Sequence, residues 1–184
     1  SVMYVNNEVG AVEPIEEISR IIKAKNPSVI FHVDAIQAYG KYVIRPKKQG
    51  IDLLSVSGHK IHGPKGVGFL YIRSGVKIKP LIYGGGQQNN LRSGTENVPG
   101  AAGLGVAAKE MYTNHEEKIR RLTELKDYMT DRLGEIEQRA LPRLSASALR
   151  ACAARCFFTR WRIREFTFPP DPPVLPIIPA SAGH

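Results

Sequence analysis

Short apolar runs alternate with segments of helical period along most of the chain. The first run, residues 2–5, is strand-like. Residues 14–25 place four isoleucines at helical spacing behind a proline suited to a first helical turn. Further strands are predicted at residues 29–33, 52–57 and 67–72. Because strands and helices alternate, we predict an α/β fold with a mostly parallel sheet flanked by helices.

Two helices are predicted after the last strand. Residues 97–112 are rich in Ala and Gly, which favours a closely packed helix that its glycines weaken. Thr113 or Asn114 then caps a longer helix that runs to about residue 137. This helix carries an apolar stripe that we expect to be buried, made up of Ile119, Leu122, Leu125, Met129, Leu133 and Ile136.

Residue usage changes abruptly near residue 139. Residues 139–184 contain no Lys, seven Arg, seven of the 13 Pro and both Cys, whereas residues 1–138 contain 12 Lys. Proline clusters block both helices and sheet pairing, so we predict that this tail is disordered or loosely attached. We therefore divide the chain into a folded body, residues 1–138, and a foreign Arg- and Pro-rich tail. A shifted reading frame or an unrelated fused segment would explain the change.

Composition narrows the class of protein only a little. The chain of 184 residues can bury a sizeable core, and no apolar run in it reaches membrane-spanning length. Its strand-like start, without a charged leader, predicts that it begins inside a fold. The formal net charge of +9 permits nucleic-acid binding. The tail arginines follow no known nucleic-acid-binding module, so a nucleic-acid-binding protein is kept only as an alternative.

The strongest chemical signal is Lys60, which follows the strand predicted at residues 52–57 and stands beside Ser57 and His59. Burial and nearby cations lower the pKa of an amine, and a less protonated amine attacks carbonyl groups. The hydroxyl and the imidazole supply donors for an anion. This combination suits pyridoxal phosphate (PLP), which needs an amine for its aldehyde and donors for its phosphate. The alternative is an ordinary surface lysine.

A second signal is Asp34, at the end of the strand predicted at residues 29–33. Open α/β sheets bind ligands at this end of their strands, and a carboxylate there can pair with a pyridinium nitrogen. Gln37, three residues later, would reach a ring substituent on the same side. Asp34 can also cap a short helix over residues 35–39 that Gly40 ends, and the two interpretations are compatible.

Four motifs stand in a fixed order along the body. They are Tyr4-Val5-Asn6-Asn7-Glu8-Val9-Gly10, His32-Val33-Asp34-Ala35-Ile36-Gln37, Ser57-Gly58-His59-Lys60 with Gly63-Pro64-Lys65-Gly66, and Gly84-Gly85-Gly86 leading to Arg92-Ser93-Gly94-Thr95. Their order and spacing resemble the PLP-dependent cysteine desulfurases of the NifS and IscS kind, in the class V aminotransferase family. The resemblance covers residues 1 to about 137 and implies part of the large domain of a fold-type I PLP-dependent transferase.

The resemblance implies roles around the cofactor ring. Lys60 would bind the aldehyde of PLP and shuttle protons, and Asp34 would pair with the pyridine nitrogen. Gln37 would hydrogen-bond the ring hydroxyl, and Asn7 would lie beside the ring.

The resemblance also implies a phosphate site. Ser57 and His59 would bind the phosphate of PLP, with Gly58 between them in the same cofactor-binding segment. Thr95 looks like the residue that such enzymes lend to the phosphate of the neighbouring subunit, which implies a homodimer.

The implied activity is that of a cysteine desulfurase. Such an enzyme converts L-cysteine to L-alanine and passes the sulfur, as a persulfide, to a scaffold protein for iron–sulfur cluster assembly. A selenocysteine lyase or another class V aminotransferase relative is the alternative within the family. The implied location is the cytoplasm, with a mitochondrial compartment as the alternative.

The two cysteines do not match the nucleophile that the resemblance implies. Cysteine desulfurases carry that cysteine, and an arginine that grips the substrate, beyond the point where this chain diverges. Cys152 and Cys156 lack the Ser-Gly-Ser-Ala-Cys pattern of the nucleophile, and their spacing completes no metal site. We therefore expect them to be bystanders and this chain by itself to be an inactive fragment.

Overall fold

A mixed sheet with flanking helices makes up residues 1–140, the part of the chain that the computed structural model describes, with side chains described to residue 134. The strands lie in the order β1-β2-β3-β4, with β1 to β3 parallel and β4 antiparallel. The predicted fold class is confirmed. In chain order the elements are β1 (Val2–Met3), α1 (Ile15–Lys25), β2 (His32–Asp34), β3 (Leu53–Ser57), a 3-10 helix (Gly58–Ile61), β4 (Gly68–Ile72), α2 (Val98–Tyr112) and α3 (His115–Ala140).

Helix α1 packs an apolar face against the sheet, as its isoleucine pattern predicts. Ile15 is buried in the main core, and Ile18 and Ile22 pack against that core. The fourth isoleucine, Ile21, is exposed. Ser19 is buried in this helix, and its hydroxyl donates to a loop carbonyl at 3.0 Å.

The two faces of the sheet differ in character, because side chains alternate along each strand. Val33, Leu54 and Val56 are buried in the main core, on the face that α1 covers. Asp34 and Ser55 are register partners on the opposite face, and both are only half-buried. The described part of the chain therefore presents one apolar sheet face and one face that mixes polar and apolar side chains.

A second, smaller core joins α2 to the 3-10 helix that follows β3. Ile61 of the 3-10 helix packs with Leu104, Ala107 and Met111 of α2. Helix α2 begins at Val98 because Asn97 accepts a hydrogen bond from the backbone of its first turn at 3.0 Å. The turn that carries Lys60 therefore packs against helix α2.

The strand predicted at residues 29–33 is displaced in the structure. Strand β2 is His32–Asp34, while Val29 and Ile30 are 41% and 46% exposed. They follow a turn in which the Asn26 carbonyl accepts from the Val29 amide at 3.2 Å. Apolar character alone did not distinguish this turn from the strand.

The expectation of a buried stripe on α3 is wrong for the side chains described. Leu125 is 47% exposed, and Ile119, Leu122 and Met129 are only half-buried. The helix itself forms, but the described part of the chain does not cover its apolar side. No helix within residues 1–140 has the length and apolar content that a membrane crossing requires. Residues 141–184 lie outside the described residues, so the body–tail boundary stays a prediction.

The buried carboxylate of Asp52 lies at the edge of the sheet opposite to Lys60. It connects the start of β3 to three other segments of the chain. Its side chain is 1% exposed and accepts from Lys23 of α1 at 2.5 Å and from Arg73, just after β4, at 2.6 Å. It also accepts from the Phe31 amide, just before β2, at 2.8 Å. Burial by itself raises the pKa of Asp52, but these hydrogen bonds and positive charges outweigh burial and hold the pKa below its ordinary value.

We expect Asp52→Asn to lower the free energy of unfolding by about 3 kcal/mol, the low end of the range for a broken buried ion pair, because Lys23 and Arg73 reach solvent. A lowered carboxyl pKa stabilises the fold above the unfolded pKa, and that stability is lost as pH falls through the folded pKa. The variant should therefore also be less acid-sensitive. Urea unfolding followed by circular dichroism, at neutral and acidic pH, measures both effects.

The matched control is Glu117→Gln, which removes an exposed partner of Arg120 on α3. It should change the free energy of unfolding by less than about 1 kcal/mol. Equal losses in the two variants would contradict a central role for Asp52.

Candidate cofactor site

The carboxyl ends of β1, β2 and β3 bring the predicted site residues to one edge of the sheet. The strands are parallel, with Met3 opposite Asp34 and Asp34 opposite Ser55. The turn after β1 carries Asn7, the turn after β2 carries Gln37, and the turn after β3 carries Lys60. This edge is where open parallel sheets bind ligands.

Asp34 caps the turn that it begins. Its Oδ1 accepts from the Ile36 amide at 2.9 Å, and its backbone carbonyl accepts from the Tyr4 amide at 2.8 Å. Residues 35–39 form a hydrogen-bonded turn and not the short helix that sequence allowed, and Gly40 ends it at φ +80°. The capping role is confirmed, and the second carboxylate oxygen accepts no hydrogen bond within residues 1–134.

Gly58 allows the 3-10 helix to lie close to the chain that follows it. Its amide donates to the Val67 carbonyl at 2.8 Å. A Cβ at this position would lie 3.0 Å from that same carbonyl oxygen and 3.1 Å from Cδ1 of Leu104. A side chain at Gly58 would therefore push on the backbone of the following segment where β3 turns towards Lys60.

Ser57 and His59 form a polar pair at the base of the same turn. The Ser57 hydroxyl and Nδ1 of His59 are 2.7 Å apart. Ser57 is half-buried, whereas His59 and Lys60 are exposed. A hydroxyl, an imidazole and an amine thus lie within four residues, and these are donors that bind an anion.

Burial lowers the pKa of Lys41, an amine that the sequence did not single out. Lys41 lies just after Gly40, and desolvation, reinforced by the positive charge of Lys60, lowers its pKa to about 8. Lys60 itself is exposed, which corrects the expectation that burial surrounds it. Sequence reasoning missed Lys41, because no local pattern marks a lysine that distant parts of the chain bury.

Asn7 and Thr95 differ in how closely they join this edge. Asn7 is exposed in the turn after β1, where Asn6 accepts two backbone hydrogen bonds at 2.9 Å and so holds the turn. Thr95 is exposed in the segment before α2. No hydrogen bond within residues 1–134 links Thr95 to the turns that carry Asp34 and Lys60.

Comparison with protein families identifies the family of the chain. The model of the family described as aminotransferase class-V matches residues 1–160, which is most of the chain. The chain belongs to the aminotransferase class-V family. No cluster of side chains suited to a metal ion occurs in the part of the chain that the structure describes.

Curated relatives at about 50% identity are cysteine desulfurases. The chain is 50% identical over 139 residues to cysteine desulfurase IscS of Dictyoglomus turgidum, covering 76% of this chain and 34% of that protein. It is 51% identical over 136 residues to cysteine desulfurase IscS of Methanosarcina thermophila, covering 74% and 33%. The chain therefore spans about one third of the length of the curated relatives it matches.

Solved structures give the same family. A NifS-like protein superimposes with a TM-score of 0.64 at 44% identity, covering 72% of this chain and 35% of that one. The structure of SspA in complex with cysteine superimposes with a TM-score of 0.55 at 47% identity, covering 58% of this chain and 31% of that one.

We expect Gly58→Ala to destabilise this class-V chain by about 1–3 kcal/mol, because the added Cβ meets a backbone oxygen that cannot move freely. Gly105→Ala is the matched control, since a Cβ there meets nothing within 4 Å and helix α2 gains a better helix former. The control should stabilise the fold by up to about 1 kcal/mol. Urea unfolding of both variants measures the difference, and the same sign of change in both would contradict the close approach at Gly58.

Proposed function

We propose that this chain is the cofactor-binding part of a PLP-dependent cysteine desulfurase. The observation that carries the proposal is the convergence of Asp34, Ser57, His59 and Lys60 at the carboxyl edge of a parallel sheet. The 50% identity with cysteine desulfurases supports the same assignment. The substrate we propose is L-cysteine, and the solved structure of the similar protein SspA is a complex with cysteine.

The donor set at the edge fits PLP. Lys60 provides an exposed amine for the aldehyde, Asp34 provides a carboxylate oxygen that accepts no other hydrogen bond within residues 1–134, and the Ser57–His59 pair provides donors for a phosphate. Gln37, half-buried in the turn after Asp34, is suited to the ring hydroxyl, and Asn7 to the side of the ring. Bound PLP supplies an electron sink that stabilises negative charge beside the amino group of an amino acid.

Asp34 and Lys60 perform different tasks in this proposal. The Asp34 carboxylate holds a proton on the ring nitrogen by hydrogen bonding and charge, while its Oδ1 keeps the turn in place through the Ile36 amide. Lys60 Nζ would hold PLP through its aldehyde carbon, with loss of the aldehyde oxygen as water, and would move a proton at the substrate Cα. Desolvation and the positive charge of Lys60 together lower the pKa of the neighbouring Lys41.

Several partners belong to the whole protein and are proposed with it. We assign Thr95, exposed before α2, to the phosphate site of a second subunit in a homodimer. A scaffold protein accepts the sulfur for iron–sulfur cluster assembly, and the compartment is the cytoplasm. Lysate pull-down and cross-linking of the full-length protein test these assignments.

Borohydride reduction of the PLP-loaded chain should fix the cofactor on Lys60. Peptide mapping by mass spectrometry measures the position of the label. Lys60→Ala should abolish the fixed adduct, whereas Lys65→Ala, an exposed lysine five residues later, should leave it intact. Equal labelling of Lys65 or Lys47 would overturn the assignment of Lys60.

The 184-residue chain should release no sulfide or alanine from L-cysteine beyond the rate of free PLP. The reason is that Cys152 and Cys156 lack the pattern of the family nucleophile. Sulfide and alanine are measured with PLP and a reductant present, for the chain and for the Cys152→Ala and Cys156→Ala variants. Turnover that depends on either cysteine would show that the tail is functional.

A further inference from the structure

Tyr112, the last residue of α2, is bonded to the turn that follows Asp34. Its hydroxyl accepts from the Gly40 amide at 3.0 Å and donates to the Tyr42 carbonyl at 3.1 Å. Its ring meets the Tyr39 ring edge-on at 5.4 Å between centroids. One side chain therefore contacts three residues of a turn some 70 positions earlier in the sequence.

The turn that Tyr112 contacts is a continuous hydrogen-bonded unit. The amides of Ala38 and Tyr39 donate to the Ala35 carbonyl, and those of Lys41 and Tyr42 donate to the Ala38 carbonyl. Its first end is attached to β2 through Asp34. A hydrogen bond that fixes Gly40 therefore also restrains the positions of Gln37 and Lys41, which lie in the same turn.

Gly40 also packs directly against the support of Lys60. A Cβ at Gly40 would lie 3.0 Å from Cγ2 of Ile61 and 3.1 Å from Cε of Met111. Ile61 follows Lys60 in the 3-10 helix, and Met111 precedes Tyr112 in α2. The end of α2 thus contacts both halves of the candidate site, the turn after β2 and the turn after β3.

We propose that Tyr112 is a positioning residue, whose hydroxyl fixes the turn carrying Gln37 and Lys41 against the 3-10 helix carrying Lys60. The significance of this arrangement for PLP rests on the proposed function. The arrangement itself is a property of the cofactor-free chain. The positioning role of Tyr112 can therefore be confirmed or refuted independently of desulfurase activity.

The test is Tyr112→Phe, which keeps the ring contacts with Tyr39 and His115 and removes only the hydroxyl. The Gly40 amide is buried and would lose its acceptor, so its hydrogen exchange should accelerate by about tenfold or more. The amides of Val33 and Leu54 in the main core should exchange as before. Hydrogen exchange followed by NMR on the full chain measures all three.

A second readout is the titration of Lys41, followed by NMR of its ¹³C-methylated amine. In the unsubstituted chain the pKa should be about 8. In Tyr112→Phe the loosened turn admits water and moves away from Lys60, so the pKa should rise by about half a unit or more. A structural defect elsewhere in the fold would not move this value selectively. Lys77, an exposed lysine after β4, serves as the internal reference.

The matched control is Tyr128→Phe on α3, where the side chain is 66% exposed. It should change neither Gly40 exchange nor the Lys41 pKa. Unchanged values in Tyr112→Phe, or equal changes in both variants, would overturn the positioning role. Should Tyr112→Phe fail to fold, native-state exchange of the unsubstituted chain decides: a protected Gly40 amide supports the bond, and an unprotected one refutes it.

Borohydride labelling of Lys60 separates this inference from the proposed function. Slower labelling by PLP in Tyr112→Phe, with normal labelling in Tyr128→Phe, links the positioning role to the cofactor. Altered Gly40 exchange without any PLP labelling of the unsubstituted chain would uphold the positioning role and refute the proposed function.

Discussion

The buried Asp52 carboxylate is the interaction on which the arrangement of the strands depends. It extends the pairing of β2 with β3, since the Asp52 amide donates to the Phe31 carbonyl while its side chain accepts from the Phe31 amide. The same carboxylate binds Lys23 and Arg73, which attach α1 and the end of β4. A shift of one residue in a strand would move its side chains to the other face. The register set at Asp52 therefore decides which residues reach the opposite edge.

At that opposite edge, backbone geometry by itself places the functional groups. Asp34 uses one carboxylate oxygen to hold its own turn, and Gly58 permits the close approach that orients the 3-10 helix. In the second core, Leu104 and Met111 of α2 pack against Ile61 of that 3-10 helix. Hydrogen bonds and packing therefore hold the turns that carry Asp34 and Lys60, which favours precise placement of reacting groups.

The electrostatics of the edge are set by two lysines and not by one. Lys41 is the amine that burial affects, and Lys60 is the exposed amine that is free to meet a ligand. Their mutual repulsion favours an anion at the site, as do the donors of Ser57 and His59. A phosphate-bearing cofactor is the kind of molecule that this concentration of positive charge and donors attracts.

Much of this organisation follows from sequence by itself. The helix at Ile15–Lys25, the helix at Val98–Tyr112 and the mostly parallel sheet are local consequences of apolar period, Pro and Asn at helix starts, and short strand-like runs. Asp34 and Lys60 could be paired in advance because the carboxyl ends of parallel strands meet at one edge. The body–tail boundary and the individual roles of the site residues stay predictions.

Only the tertiary structure decided which groups are buried and what holds them. The exposure of Val29, Ile30 and Leu125, and the burial that lowers the Lys41 pKa, depend on segments that meet from distant parts of the chain. Tyr112 reaches Gly40 across 72 positions, a contact that no local pattern encodes. The apolar periodicity of the sequence indicates which helix or strand a segment forms. Burial and electrostatic coupling depend on the partners that the fold brings beside it, and those were decided in three dimensions.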